Sequence, residues 1–105
     1  MLALGNAIRV LRTQKRLSQK ELADRAGITP SFLSLVESDR RSPSLKVIDR
    51  IAAAMDVPSE VLIWESVELP ENLSEKDRRM FEMAKIIARK VYMNATRAPH
   101  DISAT

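Results

Sequence analysis

Cysteine is absent from this chain, and glycine and aromatic residues are scarce. The 105 residues include no Cys, two Gly, two Phe, one Tyr and one Trp. Without Cys the chain forms no disulfide and no thiolate zinc site. With so few rings the core must be aliphatic, and no segment alternates apolar and polar residues strictly enough to indicate a strand. The composition therefore predicts an all-α fold.

Catalytic and membrane signatures are missing as well. The single histidine, His100, lies in a terminal segment that we expect to be disordered. The chain has neither a glycine-rich phosphate loop nor a clustered pair of carboxylates. Its start, MLALGNAIRVLR, does not have the basic leader and long apolar core of a signal peptide, and no apolar stretch reaches the length of a membrane span. We therefore expect a cytoplasmic protein that is not an enzyme and needs no metal or cofactor.

Length and charge narrow the remaining classes of protein. The chain is long enough for one small domain with an appendage, but not for two full domains. Its 17 Lys and Arg residues outnumber its 14 Asp and Glu residues, which gives a net charge of +3 and a pI of about 9.6. This mild excess is compatible with a nucleic acid partner, but the chain has no dense basic block that would require one.

Apolar residues at helical spacing predict five short helices followed by one long helix. Pro70 and several acidic residues interrupt the pattern after the fifth helix and indicate a linker. The predicted organisation is a domain at 1–66, a linker at 67–73, a C-terminal helix at 74–96 and a flexible tail at 97–105.

The first two helices follow from apolar spacing and from a capping signal. The first is expected over Leu4–Leu17. Ser18, with Glu21 three residues later, forms a capping box, in which the side chain of each residue accepts from the backbone N–H of the other. The second helix is therefore expected over Gln19–Ala26.

A short break separates the second helix from the third. Gly27 ends the second helix, because glycine tolerates a left-handed backbone. Thr29 is the next N-cap, and the third helix is expected over Pro30–Ser38 with two apolar residues facing inward. Four positions have the spacing of a helix-turn-helix, in which two short helices meet at a fixed angle: Ala23, Gly27, Leu33 and Val36.

Two more helices complete the predicted domain. Ser42 or Ser44 caps the fourth helix, and Pro58 with Ser59 starts the fifth. The fourth helix is expected to bury one apolar stripe, which consists of Leu45, Ile48, Ile51, Ala52 and Met55.

The stretch from about residue 5 to residue 65 closely resembles the Cro/C1-type (XRE-like) helix-turn-helix family. The resemblance rests on the segments LSQKELA, AGIT, LSLVES and RRSPSL, which occur in this order and at the family's spacing. It implies a five-helix, lambda-repressor-like domain and a sequence-specific DNA-binding regulator whose third helix lies in the major groove. Residues 66–105 lie outside the resemblance.

The resemblance also implies which residues contact DNA. Gln19 matches a glutamine that such repressors place against the phosphate backbone, and Arg40 with Arg41 lies in a loop that carries backbone-contacting basic residues. The outward side of the third helix would face the bases. The candidate DNA-binding residues are Gln19, Thr29, Ser31, Phe32, Ser34, Leu35, Ser38, Arg40 and Arg41.

The third helix, which the resemblance makes the recognition helix, departs from the family in the residues that would contact the bases. Pro30 and Leu35 stand where many relatives have polar or long residues, and no Arg, Asn or Gln points outward, so the bidentate readers of guanine and adenine are missing. Ser31 and Ser34 can bond several bases, while Leu35 or Phe32 can pack on thymine methyl groups. DNA shape and bridging water would then supply part of the specificity.

A second departure is Asp39, which stands where relatives carry glycine. Its negative charge near the DNA backbone is unfavourable unless it pairs with Arg40 or Arg41. The resemblance further implies a structural ion pair between Arg12 and Glu37, which would orient the recognition helix.

The C-terminal helix has an apolar stripe whose steps of four, three and four residues are close to a heptad repeat. The stripe either packs on the domain as a sixth core helix or pairs with a second chain. Because operator-binding repressors usually act as dimers, we expect a homodimer on an inverted-repeat operator. The predicted dimerisation residues are Met80, Ala84, Ile87 and Val91.

Two other functions fit the same fold. The chain could be the antitoxin of a toxin–antitoxin pair, with the C-terminal helix binding the toxin. Alternatively, its helix-turn-helix could serve only to dock another protein. The small net charge and the short serine side chains on the third helix fit that alternative.

Overall fold

The computed structural model describes residues 3–94. Six α-helices and no β-strand occur in this part of the chain, which confirms the predicted all-α fold. None of these helices is both long enough and apolar enough to cross a membrane. The helices are α1 (Leu4–Gln14), α2 (Gln19–Ala26), α3 (Pro30–Glu37), α4 (Leu45–Ala54), α5 (Ser59–Ser66) and α6 (Glu75–Asn94).

The chain divides into two units, Met1–Glu68 and Leu69–Thr105. The first unit contains α1 to α5, and the second contains α6. The predicted tail at 97–105, with His100, lies outside the described residues, as do the last two positions of the helix predicted over 74–96.

The first unit has an aliphatic core, as the composition predicts. Helix α1 packs on α5 and α3, while α2 packs on α3 and α4. None of the four aromatic side chains in the chain is fully buried. The largest side chains with almost no exposed surface are Ile8, Leu11, Leu22, Leu33, Ile51, Met55 and Leu62.

Side-chain caps begin four of the six helices. The predicted capping box is confirmed: the Ser18 hydroxyl accepts from the Glu21 N–H, and the Glu21 carboxylate accepts from the Ser18 N–H, both at 3.0 Å. Hydrogen bonding to the carboxylate, first from the Ser18 backbone N–H and then from the Ser18 side chain, holds the pKa of Glu21 below its usual value. Thr29, Ser44 and Ser74 cap α3, α4 and α6 in the same way.

The predicted end of the first helix is wrong. Helix α1 ends at Gln14 rather than Leu17, because Arg16 adopts a left-handed backbone with φ of 59°. The Leu17 N–H then donates to the Arg12 carbonyl at 3.1 Å, and the Arg16 N–H donates to the Thr13 carbonyl. These two bonds form a Schellman motif, which stops the helix and turns Leu17 into the core.

The same ending recurs in α2, α3 and α4. The residues with positive φ are Gly27 at 70°, Asp39 at 60° and Asp56 at 57°. Asparagine and aspartate are among the few non-glycine residues that adopt this backbone with modest strain. The chain adopts a left-handed backbone at position 39, which is the physical reason that glycine suits this position and that aspartate is tolerated there.

Gly5 allows α1 to approach the end of α3 closely. A Cβ atom at this position would lie 2.5 Å from the Val36 carbonyl oxygen and 2.7 Å from that of Glu37. Real Cβ atoms do not come so near to backbone oxygen, so any other residue must push the two helices apart. The close contact holds the C-terminal end of the third helix against the first.

One member of the predicted stripe of α4 is misplaced. Leu45 is 74% exposed, whereas Ile51 and Met55 are buried. Ser44 is the N-cap of α4, with its hydroxyl accepting from the Val47 N–H at 3.2 Å. Leu45 is thus the first residue of the helix, and its side chain leaves the apolar face that the later turns form.

Candidate nucleic-acid interface

Helices α2 and α3 are joined by a three-residue turn that a side chain of α4 secures. The Ile28 N–H donates to the Ala23 carbonyl at 3.0 Å across the left-handed Gly27. Arg50 donates from Nε to the Ala26 carbonyl at 2.9 Å and from Nη2 to the Gly27 carbonyl at 2.6 Å. A cation at a helix C-terminus also interacts favourably with the helix dipole. Arg50 therefore ties the end of α2 and the start of the turn to α4.

Sequence reasoning missed Arg50. Arg50 lies among the apolar residues of α4 and is exposed, so its position in the sequence is that of an ordinary surface residue. A basic side chain can satisfy the free carbonyls of a neighbouring helix only when tertiary packing brings it there. No local signal in the sequence reveals that placement.

The inward and outward faces of α3 are sharply divided. Leu33 is 0% exposed, Val36 1% and Glu37 9%. The residues predicted to face DNA lie on the rest of the surface: Ser31, Ser34, Leu35 and Ser38 are exposed, and Phe32 is half-buried at one edge. Leu35 is at the border of exposure, at 36%.

The outward serines have different hydrogen bonds. The Ser38 hydroxyl donates to its own helix, at 2.9 Å from the Ser34 carbonyl oxygen and 3.2 Å from that of Leu35. Because a hydroxyl has one proton to donate, Ser38 in this conformation can only accept from a ligand. The exposed hydroxyls of Ser31 and Ser34 form no hydrogen bond within residues 3–94, so these two serines remain the better candidates for base contacts.

Arg12, Glu37 and Gln19 form one partly buried network behind α3. Arg12 donates from Nε to Glu37 Oε2 at 2.7 Å and from Nη2 to Oε1 at 3.1 Å, with 12% and 4% of the two side chains exposed. A third guanidinium nitrogen, Nη1, donates to the Leu17 carbonyl. This bidentate pair joins α1 to α3, as the family resemblance implies.

Gln19 joins the same network, which the sequence did not reveal. Its amide nitrogen donates to Glu37 Oε1 at 3.0 Å. An amide has two N–H donors, so one fixes the side chain and the second is available to a phosphate. The glutamine thus links the start of α2 to the end of α3.

Asp39 does not take the partners that the sequence suggested. Among the described residues it forms no ion pair with Arg40 or Arg41. Its Oδ1 accepts from the Gly5 N–H at 3.3 Å, within the first turn of α1, whose own N-cap Ala3 has no side-chain bond. The carboxylate therefore caps α1 from a distance, which is favourable at the positive end of a helix.

The loop after α3 carries two exposed arginines close to that helix. The N–H groups of Arg40 and Arg41 both donate to the Leu35 carbonyl, at 2.9 and 3.3 Å. The Arg41 guanidinium lies over the Phe32 ring, 5.7 Å from its centroid. The loop thus runs beside α3, with the Arg41 guanidinium against the Phe32 edge of that helix. No group of His, Cys, Asp or Glu within residues 3–94 is arranged to hold a metal ion.

Helix α6 carries the second candidate surface. Its predicted dimerisation residues are exposed: Met80 at 62%, Ile87 at 55%, Val91 at 54% and also Ala84. Met83, which the predicted stripe omitted, is 56% exposed and lines a shallow apolar hollow with Met80, Ala84 and Ile87. The second unit therefore has a continuous exposed apolar face.

Comparison with known families and proteins identifies the fold around the first candidate surface. A family model described as helix-turn-helix matches residues 8–62. The immunity repressor protein of Bacillus phage phi105 is 28% identical over 74 residues, which cover 70% of this chain and 51% of the repressor. The transcriptional regulator SinR of Bacillus subtilis is 33% identical over 66 residues, which cover 62% of this chain and 60% of SinR.

A solved structure agrees with these relatives. The restriction-modification controller protein C.AhdI from Aeromonas hydrophila is 38% identical, with a TM-score of 0.57, and the match covers 58% of this chain and 92% of that protein. The chain spans only about half the length of curated relatives such as the phage repressor. The likeness therefore concerns the helix-turn-helix domain.

Proposed function

Because the chain belongs to the Cro/C1-type helix-turn-helix family, we propose that it is a sequence-specific DNA-binding transcriptional regulator. In this proposal α3 enters the major groove of double-stranded DNA, and the protein acts as a repressor in the cytoplasm. The names of its relatives, an immunity repressor and the regulator SinR, support this function.

One observation carries the proposal: α3 is held rigidly from behind while its outer face is left open. The partly buried network fastens Glu37 to α1 and α2, Gly5 allows the close contact with α1, and Arg50 secures the turn. The exposed serines lie on the opposite side. A helix fixed in this way is suited to insertion into a groove, because recognition needs side chains at set positions.

Two kinds of contact follow from the residue types. Arg40, Arg41 and the second amide proton of Gln19 supply donors to phosphates, which determine register and most of the affinity. Ser31 and Ser34 supply short-range hydrogen bonds to bases, and Leu35 offers an apolar contact for a thymine methyl group. Since no long bidentate side chain lies on the outer face, we expect sequence-dependent DNA shape to contribute to specificity.

We also propose that the protein binds DNA as a homodimer through α6. Covering the large exposed apolar surface of α6 is favourable, because it removes that surface from water. The steps between the apolar residues also suit pairing with an identical helix. A two-fold dimer places two recognition helices about one turn of DNA apart, roughly 34 Å, so the operator should be an inverted repeat.

Selection of bound DNA from a random pool, followed by titration of affinity against salt, tests this function. We expect enrichment of an inverted repeat and, with about six to ten phosphate contacts, a loss of a thousandfold or more in affinity between about 50 and 200 mM salt. A pool without any enriched sequence would refute sequence-specific binding and favour protein docking. Co-purification of an unrelated small protein bound to α6 would favour the antitoxin alternative.

A further inference from the structure

Phe32 and Arg41 contact each other at the edge of α3. The guanidinium carbon lies 5.7 Å from the ring centroid, within the range of a cation–π interaction. Phe32 is half-buried and Arg41 is exposed. Arg40, the neighbouring arginine in the same loop, has no such contact with a ring of the described residues.

The backbone holds both partners in place. The Phe32 N–H donates to the Thr29 hydroxyl at 3.0 Å, which fixes the first turn of α3. The Arg41 N–H donates to the Leu35 carbonyl one turn later, so the loop folds back along the same edge of the helix. The ring and the guanidinium therefore meet because two separate backbone bonds bring their residues together.

We propose that Phe32 is a positioning residue for Arg41 rather than a contact for a thymine methyl group. The ring is uncharged and has no oxygen or nitrogen acceptor, so the guanidinium that lies over it keeps its N–H donors available to DNA phosphate oxygens. Holding the side chain beside α3 before DNA arrives reduces the rotamer freedom lost on binding. This inference rests on the proposed DNA-binding function and deepens it.

The chain offers a matched control for this role. Arg40 lies in the same loop, is exposed, and donates its N–H to the same Leu35 carbonyl. An indirect effect of Phe32 on loop shape or helix stability should therefore influence both arginines. An effect through the ring contact should depend on Arg41 alone.

The test is a double-mutant cycle on DNA affinity with the full-length chain and the DNA selected from the random pool. The single variants are Phe32→Leu, Phe32→Tyr, Arg40→Ala and Arg41→Ala, and the double variants combine Phe32→Leu with each alanine. We expect Phe32→Leu to raise Kd about two- to fivefold per protomer in the wild-type and Arg40→Ala backgrounds and to have no effect in the Arg41→Ala background. Phe32→Tyr, which keeps an aromatic face, should bind as the wild type does.

The same measurements on DNA of unrelated sequence separate the two roles of Phe32. Loss of a thymine contact would affect only the selected sequence, whereas loss of Arg41 positioning should weaken binding to both. An equal loss for Phe32→Leu in all three backgrounds, or weak binding by Phe32→Tyr with unchanged thermal unfolding, would overturn the inference while DNA binding by the wild type stands. A wild-type chain that binds no DNA would overturn the proposed function and this inference together.

Discussion

The two units of the chain differ in where their apolar side chains lie. In Met1–Glu68 the side chains of Ile8, Leu33 and Leu62 are 0% exposed, whereas Met80 and Ile87 of α6 are more than half exposed. The first unit has a complete core of its own, and its apolar pattern specifies a fold. The pattern in α6 has the same periodicity but encloses no such core, which is why we propose that it specifies association.

The charged pairs differ in the same sense. In the first unit, Arg12 and Glu37 form a bidentate pair that is nearly buried, at 2.7 and 3.1 Å. In α6, Arg79 lies 3.3 Å from Glu75, and 78% and 72% of the two side chains are exposed. Water screens the exposed pair, while the buried one depends entirely on its protein partners. Equal charges thus have unequal consequences for stability.

The largest expected effect comes from placing a charge on the apolar face of α6. Ile87→Asp should produce a monomer whose first unit stays folded, and operator affinity should fall by about 10² to 10⁴, the usual advantage of two linked binding events. Sedimentation velocity and titration of the selected DNA measure the two effects. Glu82→Lys is the control, because it changes a charge five residues away, well around the helix from Ile87. A full-strength dimer in Ile87→Asp would move the interface to the first unit.

Next in size is the loss of one partner from the buried ion pair. Arg12→Ala leaves the Gln19 amide as the side-chain partner of the Glu37 carboxylate. We expect a loss of about 3 to 5 kcal/mol in the free energy of unfolding. Arg79→Ala should cost about 0.5 kcal/mol or less. Urea denaturation measures both variants. Similar losses in the two would show that the contrast between buried and exposed pairs is wrong.

Gly5→Ala tests the close approach of α1 to α3. The added Cβ meets two backbone oxygens and Asp39 Oδ1 at 2.5 to 2.8 Å, so the helices must separate at a cost of about 1 to 3 kcal/mol. Asn6→Ala, at the exposed neighbouring position, should change stability by less than about 0.5 kcal/mol. A Gly5→Ala variant as stable as Asn6→Ala would contradict the tight contact.

The smallest effect concerns the serines on the outer face of α3. Ser31→Ala or Ser34→Ala should change base preference at one or two operator positions by about 1 kcal/mol for each lost contact. Since neither change alters charge, the dependence of affinity on salt should stay as in the wild type. Repeating the selection with each variant measures the preference. If both variants select the wild-type sequence with wild-type affinity, α3 is not the recognition helix.

The parts of the fold that depend on neighbouring residues could be predicted from the sequence. The capping box of Ser18 and Glu21, the cap at Thr29 and the turn at Gly27 all follow from short-range chemistry and are confirmed. The predicted end of α1 is wrong because the residue that ends the helix with a left-handed backbone is Arg16. An arginine in the sequence does not indicate a left-handed backbone. The burial of Leu17 favours that backbone at Arg16, but this burial depends on tertiary packing.

The candidate site shows the same division. The family resemblance implied the pairing of Arg12 with Glu37, and apolar spacing predicted the open face of α3, but neither revealed the other contacts between helices that hold α3 in place. Arg50 on the turn and the Asp39 bond to Gly5 appear only once α1, α3 and α4 are packed together. Spacing along one helix indicates which face is buried, but it does not say which surface residue reaches across to another helix.

Hydroxyl-radical footprinting of the wild-type protein on its selected DNA tests the central claim most directly, because it locates both recognition helices on one duplex. We expect two symmetric protected regions, centred about one helical turn apart, on an inverted repeat. We also expect Ile87→Asp, at high concentration, to protect each half-site independently. A single protected region without two-fold symmetry, or protection of DNA that does not depend on sequence, would contradict the claim that a dimer presents two copies of α3 to an operator.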